Sequence, residues 1–179
     1  FIETSGLKQL DITSVPDASA VNGEGGEWLI DPNNITLVNG TGFNIIGNPN
    51  FTTSGDSALL DVALVETALN AGNNVTISTG TAGTNLDVGN ISIAADINKI
   101  LGGNVSLTFN AHNNIIIDTL SSTTRNITST SGILDVVFNA DIDNTNGGAI
   151  YFETGFSTSF PINIDTNGGQ LVSGGQVFV

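Results

Sequence analysis

The chain has 179 residues, enough to bury a continuous core, and one domain is the natural count. Charged residues make up only 11%, against roughly 25% in an average soluble protein, and Asn, Ser, Thr and Gly supply the polar surface instead, which disfavours helix-rich folds. Seventeen acidic residues against three basic ones (Lys8, Lys99 and Arg125) give a net charge of −14, which disfavours nucleic acid and anionic lipid as partners, since both are held by Lys and Arg.

Cysteine and methionine are absent. Disulfides and thiol chemistry are therefore excluded, and burial with backbone ladders must hold the fold. The lack of cysteine suits a chain exported through an oxidising compartment. Without an initiator Met, a signal peptide or an apolar run of spanning length, the expectation is an excised internal segment of a larger exported protein, with no membrane insertion.

In chain order, Phe1 to Ser5 and Leu10 to Thr13 read as short strands around a Gly6 turn, closed by Val15-Pro16-Asp17. A small-residue loop leads to Trp28, Leu29 and Ile30, a short buried strand. The corner Asp31-Pro32-Asn33-Asn34 follows, with Pro presetting φ and Asp in the usual first position. Ile35, Thr36 and Leu37 form the next strand. Asn39 to Gly55 is rich in turn residues and is expected to protrude as an irregular loop.

Helical character is confined to Asp56 to Gly72, where Leu60, Leu64 and Ala68 recur at i, i+4 and i+8. The spacing predicts a helix over 62–71, stopped by Gly72 in the left-handed conformation and covering the core. From there short alternating runs follow: Val75 to Ile77, Ile91 to Ile93, Val105 to Phe109, Ile115 to Ile117, Leu134 to Phe138, Ile150 to Phe152, Ile162 to Ile164 and Gln176 to Phe178. Polar corners separate them, with the doublets Asn33-Asn34, Asn73-Asn74, Asn113-Asn114 and Gly168-Gly169 as markers. The pattern fits an all-β solenoid of short strands stacked coil on coil, with coils of about 20 to 25 residues and about six to eight turns.

Three stretches carry a family resemblance. Phe1-Ile-Glu-Thr-Ser-Gly6, the run Gly26 to Leu37 with Trp28-Leu29-Ile30-Asp31-Pro32 at its centre, and Ala68 to Thr79 resemble segments of very large bacterial surface adhesins of the filamentous haemagglutinin type. Weaker echoes at Leu107 to Ile117 and Thr166 to Gly169 extend the likeness over nearly the whole chain. The resemblance implies a right-handed parallel β-helix and export through a two-partner system with an outer-membrane barrel transporter. It also implies adhesion or aggregation at the extracellular face of the cell. No stretch resembles the family's amino-terminal secretion domain, so the export route is an expectation for the parent protein.

Residues that carry chemistry are few. His112 is the sole histidine, at an expected corner, so a Ser–His–Asp arrangement would have to use it, and a zinc site has too few ligands. Asp141 and Asp143 would share one strand face, the spacing of a carboxylate pair, and with Asn144 they could open a calcium loop. However, Gly147 falls one place late for the twelve-residue loop and Phe152 stands where its closing Glu belongs. Turn chemistry is the plainer account. Asn-x-Ser/Thr triplets at Asn34, Asn39, Asn50, Asn74, Asn90, Asn104 and Asn126 arise from corner geometry as readily as from glycosylation. Tyr151, between Ile150 and Phe152, is expected to face outward as an aromatic contact.

The reading is a non-catalytic structural or adhesive module presenting loops to a glycan or protein ligand, with no cofactor beyond the calcium candidate. One alternative is a fibre subunit that self-associates end to end; another is a polysaccharide-active enzyme.

Overall fold

In a computed structural model of the chain the alternating runs become strands, and every strand pair but one is parallel among the described residues. The structure describes residues 2–5, 17, 27–31, 34–40, 45–46, 52–53, 58–79, 88–118, 124–142, 144, 147–153 and 161–178. The first sheet stacks Ile2–Ser5, Glu27–Asp31, Asn74–Ser78, Val105–Ala111, Leu134–Ala140 and Leu171–Gly174 in that order. In the second, Ala58–Asp61 lies outside Ile35–Val38, followed by Ile91–Ile93, Ile115–Asp118, Ala149–Glu153 and Gln176–Phe178. A third sheet holds Ile97–Lys99, Arg125–Ser129 and Ile162–Asp165.

From Asn74 onward the chain visits the first, second and third sheets in turn and then returns to the first beside its previous strand. The round is longer than the 20 to 25 residues expected. Asn110 and Asn139 bond across adjacent rounds 29 residues apart, and Asp135 and Gln170 do so 35 apart. Two sides of each round are legible in the sequence. Of the third only Ile162–Asp165 is, and the two strands missed there add to the difference.

Register aligns like with like. Val105, Leu107, Phe109 and Ala111 lie beside Leu134, Val136, Phe138 and Ala140 in the first sheet. Ile35, Ile91, Ile115 and Ile150 form one row of the second sheet, all buried. Alternation makes these rows inevitable, because a one-residue slip would turn every apolar side chain to solvent. Each fully buried Ile or Leu contributes about 2 kcal/mol, so the rows dominate stability. Inside, the Phe109 and Phe138 rings stack 5.3 Å apart, and Phe138 meets Phe152 edge-on at 6.3 Å.

Helix α1 (Val62–Asn70) begins where Asp61 accepts a hydrogen bond from the Ala63 amide at 3.0 Å. It ends as the spacing predicts, with Gly72 at φ +89° and the Gly72 and Asn73 amides donating to the Leu69 and Ala68 carbonyls. Val62, Val65, Ala68 and Leu69 face the core, whereas Leu60 is buried from the preceding strand.

The strand expected over Trp28 to Ile30 is present within Glu27–Asp31, between Ile2–Ser5 and Asn74–Ser78 in the first sheet. Pro32 and Asn33 lie outside the described residues, as does the expected strand over Leu10 to Thr13. The stretch from Asn39 to Gly55, expected to be irregular, contains a short antiparallel pair, Ile45–Ile46 with Thr52–Thr53. Ile97–Lys99, Arg125–Ser129 and Leu171–Gly174 are strands that the alternation does not reveal.

Candidate functional site

The polar side chains of this molecule are mostly spent on its own backbone. At the corner entering the second sheet, the Asn34 carboxamide oxygen accepts from the Asn90 amide at 2.6 Å. The Asn90 oxygen accepts from both the Asn114 amide and the Asn113 side chain at 3.0 Å, and the Asn114 oxygen accepts from the Ala149 amide at 2.9 Å. One asparagine per round thus secures the next. Asn74 does the same for the Ser106 amide and Asn104 for that of Ile133, both at 2.9 Å. Asn126 donates to Asp96 from its amide and its side chain. The doublets therefore mark different corners, and Asn34, Asn74, Asn90, Asn104 and Asn126 have carboxamides tied between rounds, which favours the geometric account of those triplets. Replacing Asn90 by Ala leaves donors on the next round unpaired; the expected loss is about 1–2 kcal/mol, read as a lower urea midpoint.

Two of the three basic residues occupy inward positions of the third sheet. Lys99 is fully buried, and its ammonium donates to the carbonyls of Leu101 (2.8 Å), Gly102 (3.4 Å) and Ser131. No carboxylate pairs with it among the described residues. Burial without a counter-charge pushes the amine below its ordinary pKa. Arg125, also buried, reaches Asp96 at 3.7 Å, and its Nε has no hydrogen-bond partner. Neither cation stands out in the sequence, because a charged residue in an alternating run ordinarily marks the outward face.

His112 stands at a corner as expected. Its Nδ1 lies 3.2 Å from the Thr79 hydroxyl, which also accepts from the His112 amide and lies 3.1 Å from the Gly89 carbonyl. Thr79 is buried, so this hydroxyl fastens a corner and is closed to a substrate.

Asp141 and Asn144 take positive φ, 55° and 54°, and the Asn144 amide donates to the Asp141 carbonyl at 3.0 Å, as in a turn. Asp143 lies outside the described residues, so its expected pairing with Asp141 does too. Among the described residues no group of three or more His, Cys, Asp or Glu side chains could hold a metal ion.

Tyr151 is half-buried between the buried Ile150 and the partly buried Phe152, on the outer side of the second sheet. Its ring stacks on that of Phe178 in the neighbouring strand, 5.3 Å away and inclined by 13°. The two rings therefore cover each other. The last strands of the first and second sheets leave Leu171, Val172, Val177 and Phe178 exposed.

No helix among the described residues is long and apolar enough to cross a membrane. No family model matches the chain, and no curated protein matches it.

Proposed function

We propose that the chain is a non-catalytic, rigid module of a secreted bacterial cell-surface protein of the filamentous haemagglutinin type, folded as a right-handed parallel β-helix. The observation that supports this reading is the in-register run of like side chains through the first two of three parallel sheets that the chain visits in turn. Such a body resists bending, as a stalk must. The parent would leave the cell through an outer-membrane two-partner transporter, and the ligand would be a glycan or protein on another surface.

The test is direct. Beads coated with the protein should retain more bacterial or host cells than beads coated with an unrelated acidic β-protein, and removal of residues 41–55 should lower retention. Equal retention on both coatings would remove the adhesive role. Circular dichroism with solution X-ray scattering should give a strand-rich, elongated particle.

A second reading, a fibre subunit, is favoured by one observation. Four large apolar side chains are exposed on the last strands of two sheets, with Leu171 at 51% and Phe178 at 49%. Sedimentation over a concentration series separates the two, since a stalk module stays monomeric.

A further inference from the structure

Ile97–Lys99 is an edge strand of the third sheet, with Arg125–Ser129 on one flank and helix α1 packed on the other. An edge strand presents unpaired amides and carbonyls, which invite pairing with any extended segment. Here the helix supplies the missing acceptors from its side chains. The Glu66 carboxylate accepts from the Asn98 amide at 2.8 Å and from the Asn98 side chain at 3.4 Å. One turn further on, the Asn70 carboxamide oxygen accepts from the amides of Ile100 at 2.8 Å and Leu101 at 2.9 Å. Residues four apart on a helix share a face, which is why these two acceptors meet the same strand and its outgoing turn.

We propose that helix α1 is an edge-blocking cap, in which Glu66 and Asn70 take the hydrogen-bond places of a preceding third-sheet strand and so bar a further strand from that edge. The polar contact continues through the sheet, because the Asn98 oxygen accepts from the Thr128 hydroxyl at 3.0 Å. On its inner side the helix is fixed by Val65, Ala68 and Leu69, all fully buried, so its outer acceptors are held in place by packing. Ala63 and Thr67 point to solvent and take no part in the cap.

The experiment compares amide hydrogen exchange and sedimentation for the protein, Glu66→Ala/Asn70→Ala, Glu66→Gln and the control Thr67→Ala. The double variant should exchange the Asn98, Ile100 and Leu101 amides at least about tenfold faster, while the Ile127 amide in the neighbouring strand keeps its protection. It should also form dimers or larger species at concentrations where the parent chain is monomeric or less associated. Glu66→Gln retains an acceptor oxygen and should behave as the parent, as should Thr67→Ala. Unchanged exchange at those three amides in the double variant would overturn the proposal. So would faster exchange with no gain in association, and so would equal effects from Thr67→Ala.

Discussion

Replacing Lys99 by methionine should lower the stability of the folded chain by about 3 kcal/mol, since three carbonyls at a tight corner lose their shared donor. Among the described residues, Lys99 is the only charged one in the set of largest fully buried side chains, and it bridges the Leu101–Gly102 corner to Ser131 of the next round. The corner cannot relax to compensate. Gly132 sits there at φ +69°, and a Cβ on it would overlap the Gly103 carbonyl, so the two rounds already touch backbone to backbone. A urea titration of the variant against the parent measures the loss.

The pH dependence has a defined sign. The folded amine is held below the ordinary value of 10.5 by desolvation, so between the folded value and 10.5 the unfolded chain binds more protons than the folded one. Stability therefore rises with pH through that window and levels off above it. Below the window both states carry the proton and this contribution is flat. The thioether introduced by Lys99→Met cannot titrate, so the gap between parent and variant should widen as pH is raised toward 10.5. A gap that narrows would contradict an unpaired buried ammonium.

Replacing Phe138 by Ala should remove about 4 kcal/mol, the larger of the two effects. Phe138 is 1% exposed and touches Phe109 face to face and Phe152 edge to face, so one deletion breaks both aromatic contacts and opens a void between two sheets. Its row in the first sheet is fixed by register with Phe109 on one flank and Ser173 on the other, and parallel strands leave little freedom to close the gap. Phe138→Leu should recover about half of the loss, because it restores volume without the ring pairing. Thermal unfolding of the three proteins under one set of conditions checks the order.

Much of this architecture is readable in the residues, and the exceptions have physical causes. Val105, Leu107 and Phe109 alternate with Ser106, Thr108 and Asn110, which both identifies a strand and sets its inward face. In the third sheet only Ile162–Asp165 offers such a signal. Two of its strands turn Lys99, Arg125 and Ser129 inward, so the usual rule that charge marks the solvent side points the wrong way. The expected round length is short in keeping with this, because Ile97–Lys99 and Arg125–Ser129 are not seen as strands. Helix α1 is legible from the spacing of Leu64 and Ala68, and its stop from Gly72. Its station beside the third sheet is not, since sequence spacing says nothing about which edge a helix will cover. Of the candidate site residues, Tyr151 lies on the outer side as its neighbours imply, whereas its stacking on Phe178 depends on a pairing 27 residues away that one strand cannot disclose.

The inward placement of Lys99 and Arg125 has an electrical consequence outside the core. With those two cations withdrawn from the exterior, the described outer shell has carboxylates but no compensating ammonium or guanidinium group. Two such bodies push each other apart in dilute buffer, and dissolved salt shortens the reach of that push to about 10 Å at 0.1 M. Seawater-strength brine should therefore let neighbouring molecules approach more closely, the opposite of its action on proteins joined by ion pairs.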